Sequence, residues 1–119
     1  MLQNLIWVFL GGGLGCVSRY GINVLATAIF STRFPFGTLV VNIVGSFLIG
    51  IFFALHKESA ERLRLFVVTG FLGGFTTFSA FSYETLALAE KSLEYAFWNI
   101  LLNVIGSLGA VFLAYRLFS

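Results

Sequence analysis

The sequence predicts an all-α membrane protein with four transmembrane helices, the third of them broken near the midplane. Three observations carry that prediction. Of the 119 residues, 59% are hydrophobic and only 10% are charged, whereas a soluble domain carries about 25% charged residues. Four apolar stretches, at about residues 5–30, 37–55, 65–88 and 95–117, match the roughly 20 helical residues needed to cross a hydrocarbon core. The third stretch is interrupted by GFLGGFTTFSAF, residues 70–81. Residues 1–119 therefore read as one four-helix domain.

The composition also excludes function classes. The chain has one His, one Cys and no Asp, too few such groups for a catalytic triad or a side-chain metal site within one copy, so no enzyme is expected. Its net charge of +2 comes from basic residues scattered along the chain, which gives no support to nucleic-acid binding. Cys16 sits inside an apolar run, where cysteine acts as a small hydrophobe. The opening MLQNLIWVFL lacks a basic start and its apolar run continues past residue 20, so it reads as a retained span.

The first and second spans are joined by STRFPF, where Pro35 favours a turn and a new helix start. HKESAERLR joins the second and third and holds more charged residues than any other connection; AEKSLE joins the third and fourth. Trp7, Tyr20, Tyr95, Trp98 and Tyr115 fall near span ends, as interfacial aromatics do. One side of the membrane carries Lys57, Arg62, Arg64 and Arg116, the other Arg33 and Lys91. So small a bias is compatible with one fixed orientation or with insertion both ways, and the second case would allow an antiparallel dimer.

Residues four apart share a helix face. Thr38, Asn42, Ser46 and Gly50 form one polar row, and Tyr95, Asn99, Asn103 and Ser107 another. Lipid supplies no partners for amides and hydroxyls, so these rows face protein, water or a solute. Helix packing through small residues accounts for any one of them; two whole rows favour a polar pathway. In GGGLGCVSRY, residues 11–20, Gly11 and Gly15 make a small-xxx-small pair, and Arg19 continues that face. Arg19 is either an anchor or a cation that concentrates anions near a vestibule.

In GFLGGFTTFSAF each glycine costs about 1 kcal/mol relative to alanine inside a helix, so residues 70–77 are expected to leave helical geometry. Broken backbone at membrane depth frees carbonyl oxygens, which suit a hard monovalent cation such as Na⁺. One chain would leave that ion undercoordinated; two antiparallel copies would supply twice the oxygens. Phe78, Phe81 and Glu84 follow at spacing three on one face. Phenyl rings have positive edges, and ring edges opposite an Asn amide could coordinate an anion weakly enough to release it.

Taken together, GGGLGCVSRY, FPFGTLVVNIVGSFLIG (residues 34–50) and GFLGGFTTFSAF resemble the CrcB/Fluc family of fluoride channels, over essentially the whole chain. TTFSAF departs from the usual TTFSTF only at Ala80, and Cys16 stands where the family usually has Ala. The resemblance implies a dual-topology antiparallel homodimer in the cell membrane, with two pores and a central structural Na⁺, that passively exports fluoride from the cytoplasm. It also implies roles by motif. Asn42 would be the pore amide, and Phe78 and Phe81 the ring-edge ligands of fluoride. Gly73 and Thr76 would hold Na⁺ by their carbonyls, Arg19 would sit at a vestibule, and Glu84 would lie near the far end of the pore face. Asn103 and Ser107 would continue the polar track, with Thr38 and Asn99 as further members.

The alternative is a proton-coupled exporter of the small multidrug resistance type, which also has four spans. That mechanism wants a carboxylate in the first span. This sequence has none there, and Glu84 is the only embedded one.

Overall fold

The computed structural model describes residues 1–58 and 60–119; Ser59, in the connection between the second and third spans, lies outside the described residues. Four helical spans run along a long axis of 46 Å, close to the ~40–45 Å of a bilayer with its headgroups. Helix α1 covers Leu2–Ile29 and α2 covers Phe36–Leu55, with Pro35 immediately before its first turn. The third span, Glu61–Ala89, is composite. It comprises α3 (Glu61–Arg64), a π-helical stretch (Leu65–Leu72) and α4 (Gly73–Phe75), then, after two extended residues, α5 (Phe78–Ala89). Helix α6, Leu93–Phe118, completes the bundle.

The break is narrower than the glycine content suggests. Only Thr76 (φ −87°, ψ 158°) and Thr77 (φ −152°, ψ 114°) leave helical geometry, a conformation that β-branched side chains favour. Gly70, Gly73 and Gly74 stay helical, and no glycine among the described residues has positive φ. The expectation that residues 70–77 unwind is corrected to these two threonines. Inside a membrane, unwinding Gly70–Phe75 would strand backbone groups that no water can satisfy. Residues 65–72 instead wind as a π-helix, whose i→i+5 hydrogen bonds keep backbone groups paired and which often marks functional sites.

The glycines serve close approach instead. A Cβ on Gly11 would run into the Phe66 carbonyl oxygen, and one on Gly15 into that of Phe71. From the other side, a Cβ on Gly70 would lie 2.9 Å from the Val8 oxygen, and one on Gly74 2.6 Å from the Gly12 oxygen. Two glycine pairs at spacing four thus face each other, and α1 lies backbone to backbone on the first half of the third span.

Helices α2 and α6 pack in the same way at one end, where a Cβ on Gly50 would meet the Val111 oxygen at 2.7 Å. Towards the middle, amide side chains replace glycine: Asn99 is fully buried and Asn103 nearly so. Helix α5 packs on α6 and turns one face towards α2. Arg62 lies over the Trp7 ring at 5.5 Å and Lys57 over the Tyr115 ring at 5.9 Å, so the termini and the charged middle connection share one membrane face. Leu14, Val17, Phe112 and many other large apolar side chains point outward, as a lipid-solvated surface requires.

Candidate functional site

The extended pair Thr76–Thr77 is held by one side chain. Asn42, on α2, accepts a hydrogen bond from the Thr77 backbone N–H at Oδ1 (2.8 Å) and donates from Nδ2 to the Thr77 carbonyl (3.2 Å). An amide can do both at once because it carries donor and acceptor side by side, as a neighbouring strand would. In a continued α-helix the Thr77 N–H would have bonded the Gly73 carbonyl. Its diversion to Asn42 frees that oxygen.

Thr77 then caps the next half-helix. Its hydroxyl accepts from the Ala80 N–H at 3.1 Å, satisfying one orphan donor of the first turn. Sequence reasoning missed Thr77 as a positioning residue; the signal was a threonine placed just ahead of a resumed apolar helix.

Around this joint lies a groove of about 490 Å³. Asn42, Phe78, Phe81, Asn103 and Ser107 all line it, as do Gly73 and Thr76. The Phe78 and Phe81 rings stand 5.4 Å apart at 58°. Phe81 is buried, whereas Phe78 is 77% exposed. Ser46, from the same row as Asn42, adds a further hydroxyl to the wall. Among the described residues of this lining there is no Lys or Arg, so no full positive charge can trap an anion in it.

A second cavity, about 500 Å³, opens at the opposite end of α2. Thr38 and Glu84 lie in its wall, with Asn23, Arg33, Lys91 and Tyr95. The Thr38 hydroxyl donates to Glu84 Oε2 at 3.1 Å, and Glu84 Oε1 is buried without a partner. Between the two cavities runs a ladder of amides. Asn42 Nδ2 donates to Asn103 Oδ1 (2.9 Å), and Asn103 Nδ2 donates to Asn99 O (2.9 Å) and Oδ1 (3.0 Å). Asn99 Nδ2 donates to Thr85 Oγ1 (2.9 Å), and the Thr85 hydroxyl to the Phe81 carbonyl (2.8 Å). Asn99 lines neither cavity; it supports Asn103 from behind.

Arg19 also lines neither cavity of the single chain. Its Nε donates to the Gly74 carbonyl at 2.9 Å, so the face shared by Gly11, Gly15 and Arg19 carries the guanidinium to the end of the first half-helix. A cation there complements the negative end of the helix dipole.

Gly73 and Thr76 both line the groove, and the diverted Thr77 N–H leaves the Gly73 carbonyl without its helical donor; neutral backbone oxygens are the donor type that a hard cation takes. A site built from one chain would be incomplete, since two oxygens fall short of the coordination such ions take. Among the described residues no group of three His, Cys, Asp or Glu side chains comes together.

Known proteins carry the same arrangement of sequence. A protein named fluoride-specific ion channel FluC from Shewanella pealeana is 44% identical over 119 aligned positions, covering 98% of this chain and 96% of that protein. One of the same name from Geobacter sp. (strain M21) is 44% identical over 111 positions, 90% of each chain. Fluoride-specific ion channel FluC 2 from Nitrobacter hamburgensis is 42% identical over 112 positions, 87% of this chain and 90% of its own. The family described as CrcB-like protein, Camphor Resistance (CrcB), matches residues 6–115. With four spans, a third helix interrupted at Thr76–Thr77 and a match over nearly its whole length, the chain belongs to the CrcB-like family.

Proposed function

We propose that this chain is a fluoride-selective channel of the cell membrane, through which fluoride leaves the cytoplasm passively and its toxic concentration falls. The observation that carries the reading is the groove lined by Asn42, Phe78, Phe81, Asn103 and Ser107. Amide, hydroxyl and ring-edge donors can replace the water around a small anion, and none of them binds it tightly enough to stop conduction. The names of the relatives agree with this chemistry.

Two antiparallel copies complete the assembly in this reading. Phe78, 77% exposed on the groove at membrane depth, would be covered by the second copy. Gly73 and Thr76 of each copy would then hold a structural Na⁺ with their carbonyl oxygens. When bound, the cation would supply charge that holds the two interrupted helices together. Thr38 and Glu84 would border the polar end of each anion path, in the cavity rimmed by Arg33 and Lys91, and Arg19 would hold the half-helix end that presents the carbonyls.

The test is efflux from liposomes loaded with fluoride or chloride and followed with ion-selective electrodes. Rapid fluoride efflux without an imposed proton gradient, and far slower chloride efflux, is expected. Equal rates for the two ions, or efflux only down a proton gradient, would reject the channel.

A further inference from the structure

The amide ladder has a direction, fixed at one end by a group that has no choice. The Thr77 backbone N–H can only donate, so the Asn42 amide must turn Oδ1 towards it. Both hydrogens on Asn42 Nδ2 are then engaged, one by the Thr77 carbonyl and one by Asn103 Oδ1. Asn103 must in turn aim Nδ2 at Asn99, where its own two hydrogens are engaged. The two amides on the groove therefore offer an incoming anion no idle N–H. An anion gains one only by exchange.

The two bonds of Asn42 Nδ2 are not equally replaceable. The bond to the Thr77 carbonyl, 3.2 Å, is half of a two-point pair that holds the extended joint. The bond to Asn103, 2.9 Å, is a single contact between side chains. Breaking it leaves Asn103 anchored by its two bonds to Asn99.

We propose that Asn103 Oδ1 is an internal competitor for the Asn42 hydrogen an anion would use, and that it screens anions by their strength as hydrogen-bond acceptors. The proposal rests on the fluoride-channel reading. A compact anion of high charge density accepts more strongly than a neutral amide oxygen and displaces it. A larger, more diffuse anion accepts weakly and leaves the Asn42–Asn103 bond closed. Asn103 is thus a specificity-determining residue through the bond it surrenders.

The experiment compares fluoride and chloride efflux from liposomes holding wild-type, Asn103→Leu or Asn103→Ala protein. Leucine keeps the branched shape of asparagine, at a larger volume, without its acceptor, and alanine leaves space instead. In the Leu and Ala variants chloride efflux should rise and the fluoride-to-chloride rate ratio should fall about tenfold, the scale of one hydrogen bond. An unchanged ratio, or a ratio that falls with no rise in chloride efflux, overturns the proposal. A wild-type protein that conducts no fluoride fails the functional reading itself, a result distinct from any failure of the variants. The wild type supplies a measurement independent of variant folding: with ¹⁵N-labelled asparagine, fluoride should shift the side-chain amide resonances of Asn42 and Asn103 together, and chloride neither. A shift at Asn42 alone overturns the competitor.

Discussion

Two seams hold the bundle together by opposite means. Between α1 and the first half of the third span, glycine faces glycine and backbone touches backbone, with Arg19 closing the end. Between α2, α5 and α6, asparagine and threonine side chains meet through hydrogen bonds beside two cavities. The first seam has no room to rearrange. The second is made of contacts that can be exchanged one at a time. A single interrupted helix therefore serves two tasks, one half as anchor and the other as a wall of the groove.

The largest effect should come from filling the glycine seam. In Gly15→Val the new side chain meets the Phe71 carbonyl and the Phe75 amide, both backbone atoms that cannot step aside. We expect a loss of about 3 kcal/mol, the upper part of the usual overpacking range, seen as a large drop in Tm and loss of monodisperse protein in detergent. Gly13, with nothing within 4 Å of its Cβ position, is the control; Gly13→Ala should be neutral or stabilise by up to about 1 kcal/mol. Equal Tm values for the two variants would erase the contrast between a packed and an open glycine.

Next in size is Phe81→Ile, which keeps an apolar side chain in the α5 wall but removes the ring edge. Fluoride efflux should be abolished while the assembled size on gel filtration is unchanged. Retained efflux would remove Phe81 from the path and leave the groove to its amides.

The smallest effect is expected for Thr77→Val. The N-cap hydroxyl is lost, worth about 1 kcal/mol, yet Asn42 keeps both backbone partners. Tm should fall by a few degrees with fluoride efflux nearly intact. A collapse of efflux would mean that the Thr77 hydroxyl itself meets the ion.

The four spans were legible because apolar length is a strong signal with few competing explanations. The seam on α1 was also readable, since Gly11 and Gly15 at spacing four have a known packing use. The matching pair Gly70 and Gly74 was misread as a break because propensity scales describe helices in water, where an unwound turn can be hydrated. At membrane depth that escape is closed, and a poor helix former stays helical when a neighbour's backbone needs the space. The polar rows on α2 and α6 were visible by periodicity, but period alone could not separate Asn103, on the groove, from Asn99, a turn away and fully buried. That distinction depends on which side α5 packs, a tertiary fact. The engagement of both Asn42 hydrogens was beyond sequence altogether, since it follows from the extended geometry of Thr77.

The two-point grip on that joint has a consequence for substitution. A side chain that hydrogen-bonds to backbone cannot sense which residue owns the backbone. In a saturation library, position 77 should accept any residue able to cap a helix and adopt an extended conformation, serine first among them. Position 42 should accept almost nothing: aspartate has no hydrogen to give the carbonyl, leucine has neither group, and glutamine is one methylene too long. The stringent letter lies on the helix that looks regular, and the tolerant one lies at the break.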